Sequence, residues 1–355
     1  MSNQLIDTAD DVRDGEELDV GAVDAWLKQR VEGLQGQPEV TQFSGGASNW
    51  TYRLAYPSHD LILRRPPAGT KAASAHDMAR EYRVQERLKP VFPYVPPMVA
   101  LCEDTSVIGA EFYVMERLPG IIPRANMPRG LEMDPATARR LCHSVIDKLV
   151  ALHQVDVDAA GLGDLGRGSG YVKRQIEGWT ERFERARTWN VPRFSYVTRW
   201  LTDNMPEDVA TCVIHNDFRL DNCVLDPDDP TKVTGILDWE MATLGDPLMD
   251  LGNALALWTQ ADDDRIARAM RRQPTHLPGM LTRAEVVEYY CLQTGRSIDN
   301  WAFYEVYGLF RLAVIAQQIY YRYHHKQTRN PTFRHLWVVT HYLYWRSRNV
   351  IRRAG

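Results

Sequence analysis

Cysteine is scarce in this 355-residue chain: Cys102, Cys142, Cys212, Cys223 and Cys291 are scattered, odd in number and never spaced as Cys-x-x-Cys. That argues against a disulfide framework or a zinc site and fits a reducing cytosol. Long apolar runs are missing too. No stretch approaches the roughly 20 apolar residues of a membrane span. The first residues carry Asp7, Asp10, Asp11, Asp14, Glu16 and Glu17, with neither a basic nor an apolar leader segment, so a signal peptide is not expected and the expected location is cytoplasmic. Internal repeats and low-complexity tracts are absent. The net charge of −4 is too small to name a partner.

Charge distribution says more. From Arg265 onward there are 15 Lys+Arg against 4 Asp+Glu, a net of +11, and residues 1–264 are net −15. The basic part either meets something anionic or pairs with the acidic remainder of the same chain. The length suits two lobes with real cores. Residues 1–17 are acidic and expected to be frayed. Val20 to Val31 has the spacing of a short helix. Val40–Phe43, Thr51–Tyr56 and Leu61–Arg64 are short, rich in β-branched and aromatic residues, and separated by turn signals, which predicts an antiparallel sheet. His76–Lys89 is expected to be helical, and Val99–Cys102 and Glu111–Met115 return to strand. After Pro119-Gly120 the chain becomes mostly helical. Asp134-Pro135 is a helix start, and Leu141, Val145, Leu149 and Leu152 form a buried stripe. Val213–His215, Cys223–Leu225 and Val233–Leu237 are brief strands. Phe303–Tyr321 and Leu336–Trp345 are aromatic and lack strand alternation, so both are predicted as core helices. The division expected is 1–118 and 119–355.

The chemistry concentrates in Val213-Ile214-His215-Asn216-Asp217-Phe218-Arg219-Leu220-Asp221-Asn222, where an apolar approach opens into a polar loop. Sixteen residues beyond Asn222, Gly235-Ile236-Leu237 ends in Asp238-Trp239-Glu240. Phosphoryl transfer from ATP needs a carboxylate to orient the acceptor hydroxyl and take its proton. It also needs hard oxygen ligands for magnesium, and positive charge to offset the transferring group. Asp217 suits the first role, Asn222 and Asp238 the second. The spacing His-x-Asp-x-x-x-x-Asn followed by a strand-borne Asp resembles the kinase-like fold, in particular the aminoglycoside/choline-kinase-like phosphotransferases. With Leu237-Asp238-Trp239-Glu240-Met241-Ala242-Thr243-Leu244-Gly245-Asp246-Pro247, it is similar to the branch that includes the phosphotransferase domains fused to some acyl-CoA dehydrogenases. The resemblance runs from about Phe43 onward. It implies an α+β, bilobal protein-kinase-like fold: a small antiparallel-sheet N-lobe and a larger helical C-lobe, with ATP and Mg2+ as cofactors.

In Phe43-Ser44-Gly45-Gly46-Ala47-Ser48-Asn49, glycines would let backbone N–H groups approach phosphate, and Ser48 or Asn49 would donate hydrogen bonds. The nucleotide-covering segment is thus Ser44, Gly45, Gly46, Ser48 and Asn49. The resemblance places Arg64 where kinase-like folds usually carry lysine, a departure that keeps the charge and changes the geometry. Arg64 is preferred to Arg65 by strand register, and Glu81 is its expected helix-borne partner. Phe112 to Gly120 resembles the hinge, with adenine expected at the backbone around Glu116–Leu118. His215 is expected to brace the loop. Arg219 is read as a phosphate contact, with a surface ion pair as the alternative. Asp246 and Asp250 are expected to cap turns and hold the loop from behind, and Cys223 to be a core residue.

Fold does not select the acceptor. A net +11 segment suits an anionic acceptor and disfavours polycationic aminoglycosides. A coenzyme A thioester would suit Arg311, Arg322, Lys326, Arg329 and Arg334 beside Tyr320, Tyr321 and Trp337. The resemblance implies a hydroxyacyl-CoA, 4-hydroxyacyl-CoA in particular. The alternatives are an aminoglycoside or other small-molecule kinase and, from another class, a non-catalytic nucleotide-binding pseudokinase. Neither a nucleic acid nor a membrane is an expected partner, since no binding motif for either is present.

Overall fold

The computed structural model describes residues 5–43, 49–67 and 77–355. Its elements, in chain order, begin with α1 (Val20–Lys28), β1 (Glu39–Gln42), β2 (Trp50–Ala55), β3 (Asp60–Arg65), α2 (Met78–Leu88), β4 (Met98–Cys102) and β5 (Phe112–Glu116). They continue with α3 (Pro135–His153), α4 (Tyr171–Ala186), α5 (Ser195–Asp203), β6 (Cys212–Ile214), β7 (Cys223–Leu225), β8 (Val233–Ile236) and β9 (Thr243–Gly245). The remainder is α6 (Pro247–Ala256), α7 (Arg265–Ala269), α8 (Arg283–Thr294), α9 (Trp301–His324) and α10 (Leu336–Ala354). Contacts divide the chain into two compact units.

The first unit comprises Met1–Lys148, Asp156–Leu162 and Leu220–Ala242. Its centre is an antiparallel sheet of order β1-β2-β3-β5-β4. Strand β3 lies inside this sheet with both edges paired, and apolar side chains cover each of its faces. Leu61 and Leu63 join Tyr52, Leu54, Phe112, Val114 and the α1 residues Val23, Trp26 and Leu27 on one side. Ile62 joins Met78, Tyr113 and Met115 on the other, where α2 begins. The period of two therefore turns Arg64 toward the α2 side. The β7–β8 hairpin belongs to the same unit: Ile121 bridges Leu225, and Ile236 N–H donates to the Tyr94 carbonyl at 2.7 Å.

The acidic N-terminal segment differs from its expected frayed state over its described residues. Asp10 bridges Gln42 on β1, Arg13 N–H donates to Gln42 Oε1 at 2.9 Å, and Tyr52 donates to the Glu16 carbonyl at 2.6 Å. The physical reason is the edge of β1, whose backbone groups need partners. Composition reports side-chain charge and is blind to that demand.

The second unit comprises Leu149–Val155, Gly163–Arg219 and Thr243–Gly355. Helix α9 is its axis, buried from Phe303 to Tyr320 and packed by α4, α5, α6 and α10. Its crossing with α6 is close because glycines face each other. A Cβ on Gly252 would lie 2.5 Å from the Tyr304 carbonyl oxygen, and one on Gly308 would lie 2.2 Å from the Gly252 carbonyl oxygen. Helix α10 extends nine residues beyond Trp345 and buries one face only (Thr340, Tyr342, Leu343, Ser347, Val350, Ile351), leaving Trp345 exposed, so it is less of a core helix than its aromatic content predicts. Among the described residues no helix is long and apolar enough to cross a membrane.

Candidate active site

In the first unit, β3 and α2 bring Arg64 and Glu81 together 17 residues apart, with Arg64 Nη1 donating to Glu81 Oε1 at 2.8 Å. The Arg64 Nη2 group reaches Asp238 Oδ1 at 3.2 Å, across 174 residues of sequence. Arg65 points to the opposite face, stacking on Trp50 and donating to the Pro66 and Ile108 carbonyls. Tyr113 Oη donates to Glu81 Oε1 at 2.9 Å and fixes that carboxylate from the neighbouring strand. Burial opposes the Arg64 charge, but Glu81, Tyr113, Asp238 and Glu240 outweigh it and hold the guanidinium well above its ordinary range. Burial pushes the Glu81 carboxyl up against the pull of Arg64. A guanidinium does not surrender its proton, so Arg64 stays the cation of this buried pair.

Asp238 follows β8 with φ of 68°, a left-handed conformation that asparagine and aspartate tolerate better than most residues. The turn is anchored by Trp239, which is fully buried edge-on to Phe92 and donates from Nε1 to the Ile236 carbonyl at 2.9 Å. Glu240 accepts from Asn49 Nδ2 at 3.2 Å, and its carbonyl accepts from Arg80 at 3.3 Å. A cleft of about 160 Å3 is lined by Phe43, Ile62, Met115, Leu118 and Leu237 on its apolar part, and by Arg64, Asn222 and Asp238 on its polar part. The N–H of Glu116 is taken by the Pro97 carbonyl and that of Arg117 by the Asp60 carbonyl, both at 2.9 Å.

In the second unit, the loop after β6 holds Asp217 between two braces. Asp250 accepts from the backbone N–H of His215 at 2.8 Å and of Asn216 at 2.7 Å. The His215 ring, fully buried, accepts the Asp217 N–H at 3.3 Å. Asn216 has φ of 65°, and its Oδ1 accepts from Tyr171 Oη at 3.1 Å and Asn253 Nδ2 at 3.2 Å. Arg219 Nη2 lies 3.4 Å from Asp217 Oδ2, both side chains partly exposed. Asp250 is itself fixed by His153 Nε2 at 3.1 Å, whose Nδ1 meets Tyr290 Oη at 2.8 Å. Burial works against the Asp250 charge, but His153 and His215 hold its carboxyl below the usual range. Asp246 caps α6 through Leu248 and Met249 and accepts the Val209 N–H at 2.7 Å. Left-handed backbone at Asn216 and at Asp238, each beside or at a candidate residue, is strain of the kind found at functional positions.

Of the residues singled out from sequence, Arg64, Glu81 and Asp238 meet directly. Asn222, Glu116 and Leu118 line the same cleft, and Asn49 binds Glu240. Asp217 and Arg219 pair with each other. Ser44, Gly45, Gly46 and Ser48 lie outside the described residues. Cys223 is fully buried, and burial pushes its thiol up, which suits a core residue. His153, Tyr290, Tyr171 and Asn253 were not legible in the sequence. Each is an ordinary helix residue until tertiary packing brings it behind the loop.

The sequence profile of the phosphotransferase enzyme family matches residues 39–286. Acyl-CoA dehydrogenase family member 10 of Mus musculus is 36% identical over 302 residues, covering 83% of this chain and 28% of that protein. The chain spans between 28% and 41% of the length of the curated relatives it matches. A Ralstonia eutropha JMP134 protein, provisionally described as an aminoglycoside phosphotransferase, superposes with a TM-score of 0.81 at 32% identity, covering 96% of this chain and 100% of that one. A thermostable mutant of the aminoglycoside phosphotransferase APH(4)-Ia, in ternary complex with AMP-PNP and hygromycin B, has a TM-score of 0.58 at 14% identity over 94% of this chain and 99% of that one. That is a likeness of fold.

Proposed function

The chain belongs to the phosphotransferase enzyme family, ATP-dependent enzymes that phosphorylate hydroxyl groups of small molecules, and from that premise we propose that its acceptor is a hydroxyacyl-CoA of the 4-hydroxyacyl type. The observation that carries the phosphotransfer reading is the contact of Arg64 with both Glu81 and Asp238. It joins a strand cation, a helix carboxylate and a carboxylate from the β8 turn, in the order phosphoryl transfer requires.

The residues present fit a magnesium nucleotide. The cleft has an apolar wall for a base, and the Asp238 carboxylate and Asn222 amide are hard oxygen donors. Among the described residues no three His, Cys, Asp or Glu side chains gather as a metal cluster. Asn222 and Asp238 would hold the magnesium, which supplies charge neutralisation on the phosphates when bound. Arg64 binds phosphate oxygens through its fork, and Glu81 keeps the fork aimed. The backbone N–H of Leu118, for which no backbone acceptor is found among the described residues, is offered to the adenine edge. Asp217 orients the acceptor hydroxyl and takes its proton as the phosphoryl group leaves ATP. Arg219, beside it, adds positive charge on the acceptor side. Nucleotide binding is assigned to residues 1–118 with Asn222 and Asp238, and acceptor binding to helices within 119–355.

Two facts support the acyl-CoA acceptor. The segment from Arg265 is net +11, and Arg322, Lys326, Arg329 and Arg334 are exposed. The relatives of this chain carry acyl-CoA dehydrogenase names. A coupled assay of ADP release with 4-hydroxyacyl-CoA, the free hydroxy acid and kanamycin tests the assignment. Stimulation by the thioester is expected, and stimulation by kanamycin alone overturns it.

A further inference from the structure

The acidic residues of the N-terminal segment do not share one environment. Asp11 and Asp14 are exposed, and Glu16 pairs with Arg13. Asp7 instead lines the cleft that also holds Arg64, Asn222 and Asp238. Its backbone is held from both sides. The Asp7 N–H donates to the Gly120 carbonyl at 2.9 Å, and the Asp7 carbonyl accepts from Arg117 Nη2 at 2.7 Å. Arg117 is fixed in turn by Asp60, through Nη1 at 3.0 Å and through its N–H at 2.9 Å. The contacts of Asp10 and Arg13 satisfy the edge of β1. That edge gives no reason for the segment to continue as far as Gly120, where one residue is secured by both of its main-chain groups.

The side chain is oriented as well. Arg124 Nη2 lies 3.3 Å from each Asp7 carboxylate oxygen, and Arg124 lines the same cleft. The Arg124 side chain is 54% exposed and that of Asp7 23%, so the guanidinium covers the carboxylate from the solvent side. One nitrogen shared between two oxygens leaves acceptor lone pairs on both. The lining runs from Arg64, Asn222 and Asp238, assigned to phosphate and magnesium, past Leu118, assigned to the adenine edge, to Gly120, Ile122 and Arg124, the stretch that Asp7 joins. With base and phosphates so assigned, the sugar is the part of the nucleotide left to bind. A ribose carries two neighbouring O–H donors, and a carboxylate has two oxygens to accept them. Among the other carboxylates of the lining, Asp221 and Asp238 belong with the proposed metal ligands, and Glu116 precedes the adenine edge.

We propose that Asp7 receives the ribose hydroxyls of the nucleotide, with Arg124 and the backbone ties to Gly120 and Arg117 keeping its carboxylate aimed into the cleft. This rests on the nucleotide reading of that cleft and deepens it. Asp7 lies ahead of residues 39–286, which the family profile matches, so family membership does not assign it a role. The terminal segment thereby acts as a part of the nucleotide site that selects a ribonucleotide.

The test is calorimetric binding, with magnesium and without acceptor, of ATP, 2′-deoxy-ATP, 3′-deoxy-ATP and inosine triphosphate to the full chain as wild type, Asp7→Ala and Asp7→Asn. Wild type is expected to bind ATP about tenfold tighter than either deoxynucleotide, the worth of a hydrogen bond to a charged group. In Asp7→Ala, ATP should weaken about tenfold or more and come within about twofold of the deoxynucleotides, since the hydroxyls then have no carboxylate to meet. Asp7→Asn keeps one acceptor oxygen, and its preference for ATP should shrink about threefold. Should Asp7→Ala fail to fold, Asp7→Asn carries the same comparison. A carboxylate that merely ties down the terminal segment would weaken ATP and the deoxynucleotides in parallel, and that result overturns the proposal. So does a wild type indifferent to the sugar. A variant that changes the ratio of ATP to inosine triphosphate alone assigns Asp7 to the base and overturns the ribose contact. Absence of binding by every nucleotide in wild type overturns the nucleotide reading beneath it.

Discussion

Arg64 engages two carboxylates at once, Glu81 at 2.8 Å and Asp238 at 3.2 Å. A lysine ammonium is a point charge, whereas a guanidinium fork has a fixed plane. On the proposed nucleotide reading, the departure from lysine sets the direction from which phosphate is met and keeps the charge. Asp217 is the sharper residue-scale test. In Asp217→Asn the Asp250 and His215 braces act on the backbone and remain. The loop should keep its shape while losing its proton acceptor. Turnover is expected to fall by about 10²–10⁴-fold, with ATP affinity by calorimetry within threefold of wild type. A pseudokinase would show equal turnover in both proteins, and that result would overturn the catalytic assignment.

At the scale of elements, register and helix crossing matter most. Strand β3 turns Arg64 and Arg65 to opposite faces, so the alternation readable in Leu61 to Arg64 carries through to the site. The α6–α9 crossing had no such signature. Two isolated glycines in apolar helices say nothing until a Cβ on Gly308 is seen 2.2 Å from a carbonyl oxygen. Gly308→Ala is expected to push the helices apart at a cost of about 1–3 kcal/mol, read as a lowered urea midpoint. A midpoint equal to wild type would show that the crossing relaxes freely.

Across the whole molecule, buried and half-buried carboxylates set the response to acid. Burial disfavours the charge of Asp250 and Asp263, but His153 and Arg283 respectively outweigh it and hold both carboxyls below the usual range. A depressed folded value means the stabilisation is complete above the unfolded carboxylate range and lost as pH falls through the folded one. Asp246 has the opposite sign: burial outweighs its three backbone donors and raises it, so its contribution is present at low pH and lost as pH rises. The urea midpoint should therefore hold from neutrality to about pH 5 and drop below about pH 4. Asp250→Asn should lower the midpoint at pH 7 and flatten the acid limb. Parallel acid limbs in the two proteins would remove Asp250 from the account.

The loop from His215 to Asn222, Asp238 in the turn after β8 and the alternation around Arg64 are determined by local order. Contiguous residues on one turn keep their spacing whatever surrounds them. The sheet and the buried stripe of α3 were readable for the same reason, since burial imposes its period on the chain. Tertiary structure alone decided the rest. His153 reaches Asp250 and Tyr290 reaches His153, each from a different helix, and Asn49 reaches Glu240 across 191 residues. The acidic N-terminal segment binds the edge of β1 by backbone groups that composition does not report. Arg311 was one basic residue among five until packing buried it against the Trp179 ring. Burial is a property of the space around a side chain, and no sequence pattern records it.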